Sequence, residues 1–202
     1  MIPDMLAQRI QQHFFESADL QYQSADLLAQ PIADAAQAVV AGLTAGGRLY
    51  VVGFGPGAGL AQLVSSQLLG RFERDRPGLA ALVLGSDGAS LAALAGAGDL
   101  DAVLARQVET LGQPGDLLLL IDPDGDKLGL HNVAQAAQRK EMTVVALTGR
   151  SGSMLREALG ETDVVICVPH DRRARVLEAQ LLALHCLCDA IDLQLLGEMD
   201  AS

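Results

Sequence analysis

Five short apolar runs constrain this chain most. They read RLYVV at 48–52, LAALVL at 79–84, DLLLLI at 116–121, TVVAL at 143–147 and DVVICV at 163–168. Each is continuous, as expected of strands covered on both faces, where alternation would expose one face to water. Helical stretches separate them, among them 58–72, 99–111 and 130–140. Strands alternating with helices predict an α/β fold: a doubly wound, five-stranded parallel sheet flanked by helices. Right-handed crossovers then bring the turn after each strand to one edge, where a ligand would bind. Those turns are GFGPGAG, GSDGAS, DPDGDK, TGRSGS and PHDRRA.

The flanks fit the same plan. Two helices are expected before the first strand, at about 4–28 and 31–45, divided at Pro31. One face of this extension carries Met5, Leu6, Ile10, Phe14 and Phe15. A long helix is expected over about 171–197, apolar around most of its circumference. Such a helix needs burial on more than one side, which predicts a subunit interface and a homo-oligomer. The 202 residues form a single domain, with an α/β core at about 46–170.

Half the residues are hydrophobic and the net charge is −11, so a phosphodiester backbone would be repelled and no direct nucleic-acid contact is expected. The N-terminus lacks an apolar signal core. The apolar run 176–196 is broken by Glu178, His185, Asp189 and Asp192, so no membrane span is expected. The three cysteines, Cys167, Cys186 and Cys188, are odd in number and lie among apolar residues, as free thiols do in the cytoplasm.

Gly53, Gly55 and Gly57 place a phosphate-style loop between the first strand and a helix. Gly53, Gly55 and Ala58 also fit a dinucleotide fingerprint, but the acidic residue that should end the next strand is displaced to Asp87. The third loop holds Asp122, Asp124, Gly125 and Asp126; it reads as a turn, or as a magnesium site. His13, His131, His170 and His185 lack metal spacing, and no metal or other cofactor is expected. The arginines of RRAR at 172–175 read as a solvated face, as an anion contact, or as partners of acids such as Glu178.

GFGPGAGLAQLVSSQLLGRFERDRP, LARQVETLGQPGDLLLLIDPDGDK, MTVVALTGR and RARVLEAQLLALHCLCDAID together resemble the SIS (sugar isomerase) family from about Ile10 to Leu196. Within it the chain is similar to the phosphoheptose isomerase branch, and most to its DiaA members, which bind the replication initiator DnaA. The resemblance implies a homotetramer. It also implies a Leu-Phe contact with the N-terminal domain of DnaA, at positions that match Leu195 and Leu196 here.

Several isomerase positions differ. The family's Asn and Ser in the first loop are Phe54 and Gly57, and the hydroxyl-rich third loop is acidic. Two carboxylates within about 5 Å of a phosphate would cost several kcal/mol in a partly buried site. The helix positions that carry His and Glu in isomerases are Leu63 and Gln67; a later His is Gln180, and only His185 is kept. An amide has no useful proton-transfer pKa. The expectation is therefore a non-catalytic oligomer that binds DnaA and promotes its assembly at the origin. The alternative is a sedoheptulose 7-phosphate isomerase or a sugar-phosphate binder, which would use Ser86 and Ser90 at the second loop and Ser151 and Ser153 at the fourth.

Overall fold

A computed structural model describes residues 2–96, 102–150 and 153–198. Five strands form one parallel sheet: β1 (Leu49–Gly53), β2 (Ala81–Val83), β3 (Leu117–Asp122), β4 (Thr143–Gly149) and β5 (Val164–Val168). Their order is β2-β1-β3-β4-β5. The continuous apolar runs thus become strands, and every residue of β3 is buried. The order turns back between β1 and β3, because β1 steps outward to β2 while β3 steps toward β4 and β5. Such a switch point opens a crevice at the carboxyl ends of the strands.

One face of the sheet is covered by α1 (Ile2–Thr44), α2 (Gly57–Leu69) and α7 (Arg173–Leu196). Val39, Val64 and Leu184 meet Val51, Leu119 and Val145 there. The other face packs α4 (Val103–Leu111) and α5 (Leu128–Arg139) on Val52, Leu118 and Leu120. Two short helices, α3 (Gly88–Ala95) and α6 (Ser153–Glu157), complete the fold.

The N-terminal extension differs from the expectation of two helices. It is one helix that runs through Pro31. Proline removes the bond to the carbonyl of residue 27. Leu27 is 59% exposed, so water can take that carbonyl. The first turns of α1 carry Met5, Leu6, Ile10, Phe14 and Phe15 at the surface, and the helix joins the core from Leu20 onward. By length and hydropathy α1 could cross a membrane, but Leu28, Ile32, Ala35, Ala36 and Val39 are buried against the domain. Part of the expected helix 99–111 falls at 99–101, outside the described residues; α4 accounts for the rest.

Two local devices use the sequence closely. Arg76 is buried and closes the end of α2: its guanidinium donates to the carbonyls of Gln67 (3.1 Å) and Leu68 (2.8 Å) and to Asp192 Oδ1 (2.5 Å). It thereby satisfies carbonyls that a helix end leaves unpaired and ties α2 to α7. The edge strand β2 is closed by side chains, since Ser65 donates to Ala81 O (3.1 Å) and Ser86 to Val83 O (3.0 Å). Such blocking protects an edge from pairing with another chain.

Candidate active site at the carboxyl edge of the sheet

The crevice between β1 and β3 is built by main chain first. Gly57 opens α2 so close to β3 that a Cβ would lie 2.4 Å from the carbonyl oxygen of Ile121. Gly55 turns the chain with φ +52. Phe54 N–H donates to Ile121 O (3.0 Å), locking the first loop onto the third. No side chain caps α2 at Pro56, so its positive end faces the crevice.

Above this turn stand four charged groups. Asp122 is fully buried; its Oδ2 accepts the Gly125 N–H (2.7 Å) and its Oδ1 accepts from Lys127 Nζ (2.9 Å). Lys127 Nζ sits 3.6 Å from where a Cβ on Gly55 would be. Arg173, the first residue of α7, reaches across the edge and grips Asp124 with two donors, Nε at 3.1 Å and Nη2 at 2.5 Å. Lys127 lies 3.7 Å from Asp124 as well. The Arg173 bond holds the Asp124 carboxyl below the usual carboxylate range, against the opposing effect of its partial burial. The same contact raises the Arg173 guanidinium.

This geometry corrects the expected electrostatics. The third loop is not a pair of bare carboxylates: two anions and two cations stand together with no net charge. The repulsion against a phosphate is thus offset at its source. Arg173 was the missing partner, assigned from sequence to a solvated face. Of its neighbours, Arg172 pairs with Glu16 (3.0 Å), and Arg175, buried, pairs with Glu178 (2.7 Å). Asp126 is exposed.

The other proposed site residues are spread over the fold. Asp87 caps α3, accepting from the N–H groups of Ala89 (3.0 Å) and Ser90 (3.3 Å) and from the Ser90 hydroxyl. The Ser90 hydroxyl holds the Asp87 carboxyl low. Ser86 is engaged by β2. These residues line the mouth of a cavity of about 610 Å³ that runs beside β2 to Arg48 and Tyr50. Ser151 lies outside the described residues, and Ser153 begins α6. His170 closes β5, and its Nδ1 accepts the Arg172 N–H (2.9 Å).

The two amides are structural. Gln180 is fully buried and donates to Asp122 O (3.3 Å) and Leu147 O (3.1 Å), pinning α7 to the ends of β3 and β4. Gln67 Oε1 accepts from Cys188 Sγ (3.5 Å) near the far end of α2, roughly 15 Å along the helix from the crevice. His185 stacks on Phe72 with centroids 5.7 Å apart, roughly 18 Å down α7 from Arg173. Gln67 and His185 therefore stand away from the ligand-edge loops of their own chain. Leu63 is half-buried on α2, Leu195 packs against the core, and Leu196 is 38% exposed at the end of α7. No three His, Cys, Asp or Glu side chains among the described residues come together as a metal set.

Comparison with known proteins assigns the architecture. Residues 12–149 match the SIS domain. The phosphoheptose isomerase of Methylibium petroleiphilum is 53% identical over 196 residues, 97% of this chain and 98% of the relative. That of Thiobacillus denitrificans is 46% identical over 192 residues, covering 95% and 98%. Among solved structures, phosphoheptose isomerase GmhA from Neisseria gonorrhoeae superposes with a TM-score of 0.87 at 34% identity, over 93% of this chain and 98% of that one. A phosphoheptose isomerase from Francisella tularensis gives 0.87 at 36% identity, over 92% and 97%.

These relatives overturn the expected non-catalytic DnaA-binding role. End to end, the chain is similar to proteins named as isomerases, which favours the isomerase alternative over the non-catalytic reading. The expectation treated the changed loop residues as a lost anion site, whereas Lys127 and Arg173 supply cations there. The chain belongs to the SIS domain family, in its phosphoheptose isomerase branch.

Proposed function

We propose that this protein is a sugar-phosphate isomerase of the phosphoheptose type, interconverting the ketose and aldose forms of a heptose 7-phosphate. The observation that carries the reading is the charge balance at the switch-point crevice. Lys127 stands beside the positive end of α2, Arg173 and Lys127 meet at Asp124, and the forked guanidinium matches phosphate as well as carboxylate. The relatives' names supply the reaction. Isomerisation through an enediol needs polarisation of the carbonyl and proton movement between adjacent carbons. Gln67 and Gln180 are amides with no useful proton-transfer pKa, which leaves His170 as the candidate for polarising the carbonyl. Its Nδ1 accepts a backbone N–H, which assigns the ring proton to Nε2. A neutral imidazole of that kind can polarise a carbonyl oxygen.

Self-association is part of the proposal. The apolar stripe on the first turns of α1, with Leu182 and Leu193 on α7, is the surface that subunits of a homotetramer would cover. Free thiols and a phosphorylated substrate fit the cytoplasm.

Incubation with sedoheptulose 7-phosphate in D₂O, followed by proton NMR, tests the reading. Turnover should appear as an aldose product deuterated at C2, and His170→Gln should lower kcat by about 100-fold or more with KM little changed. Binding with no turnover would reduce the protein to a sugar-phosphate binder. No binding at all would contradict both.

A further inference from the structure

We propose that Asp124 is an internal occupant of the anion site: its carboxylate stands where the ligand's phosphate will sit, and binding exchanges one anion for the other. The inference rests on the sugar-phosphate reading and assigns the element that controls access to that site.

The two carboxylates of the third loop differ in what holds them. Asp122 is fully buried, and the Gly125 N–H and Lys127 both bind it, so it is part of the loop's frame. Asp124 is 30% exposed, and its contacts are with Arg173 and Lys127, the two cations a phosphate would need. Arg173 presents its fork to Asp124 in the two-pronged geometry by which guanidinium binds phosphate. Lys127 stands beside the positive end of α2, a place that disfavours an ammonium unless anions attend it. Asp122 supplies one of those anions permanently and Asp124 supplies the other while the site is empty. The loop frame is held by Asp122 at Gly125, so the partly exposed Asp124 side chain can leave by rotating about its own bonds while the main chain stays in place.

The exchange has a consequence for specificity. A ligand must carry enough negative charge to displace a carboxylate from Arg173, so a neutral sugar gains no entry while a phosphate dianion does. Asp124 also lowers the affinity for the right ligand, since its own ion pair must break first.

Calorimetric titration with inorganic phosphate and with sedoheptulose 7-phosphate, on the wild type and on Asp124→Asn, Asp124→Ser and the double variant Asp124→Asn with Arg173→Gln, tests the inference. Both single variants should bind phosphate about two- to fivefold more tightly, the scale of an exposed bidentate pair that no longer has to break. The double variant should lose that gain. Equal or weaker binding by both single variants, with the wild type still binding the sugar phosphate, overturns the role of Asp124 and leaves the isomerase reading intact. No saturable binding of either probe by any variant overturns both.

Discussion

Arg76 and Asp192 show how much one buried pair can hold. Both side chains are 1% exposed, and the guanidinium also serves two carbonyls at the end of α2. Removing one partner leaves a buried charge without compensation, so Arg76→Ala should cost roughly 3–5 kcal/mol in chemical denaturation. Arg76→Lys should also destabilise, because an ammonium cannot reproduce the fork. Cys188 offers a second prediction. It is fully buried, and desolvation, followed by the nearby Asp192 charge, pushes its thiol up to about 12. A thiol raised in the folded state costs nothing below its unfolded value. Above that value the unfolded chain ionises first, so stability should fall as pH rises from about 9 toward 12. Cys188→Ala should flatten that decline, measured as urea midpoint against pH. In native protein at neutral pH, thiol reagents should leave the buried Cys188 unreacted.

At the scale of elements, the first loop is held by contact and not by side-chain chemistry. A methyl group on Gly57 would meet the Ile121 carbonyl oxygen at 2.4 Å, so Gly57→Ala should push α2 off β3. We expect a loss of roughly 1–3 kcal/mol in thermal or urea unfolding, with ligand binding weakened further because the crevice loses its shape. The elements also show what the sequence could and could not disclose. The five strands were legible because runs such as LLLLI at 117–121 are apolar throughout and admit little else. The break at Pro31 was misread, since an exposed turn can give its orphan carbonyl to water and let α1 continue. Short α3, rich in alanine and capped by Asp87, has no apolar period to betray it. Arg173 and Asp124 are 49 residues apart, and a run of arginines contains nothing that says which carboxylate each will meet. Alone the acidic loop is repulsive to an anion; the fold sets Arg173 of α7 beside it.

For the whole molecule, the net charge of −11 hides a local balance. Asp124 and Asp87 titrate below the usual carboxylate range, each through a specific hydrogen bond. Depressed carboxyls stabilise the fold above their unfolded pKa and lose that contribution as pH falls through the folded values. Unfolding midpoints should therefore drop as pH goes below about 4. The exposed apolar stripe of α1 belongs to the same scale. Sedimentation should find an oligomer, and Phe14→Glu with Ile10→Glu should dissociate it; a wild-type monomer would show that the stripe has another use. The central claim is that Lys127 and Arg173 make a phosphate site at the β1/β3 switch point. Its most direct test is the affinity of the wild type, Lys127→Gln and Arg173→Gln for sedoheptulose 7-phosphate and for unphosphorylated sedoheptulose. The account predicts that the phosphorylated sugar binds the wild type, that each variant weakens it by about tenfold or more, and that the unphosphorylated sugar binds poorly to all three. Equal binding of both sugars, or binding untouched by either substitution, would contradict it.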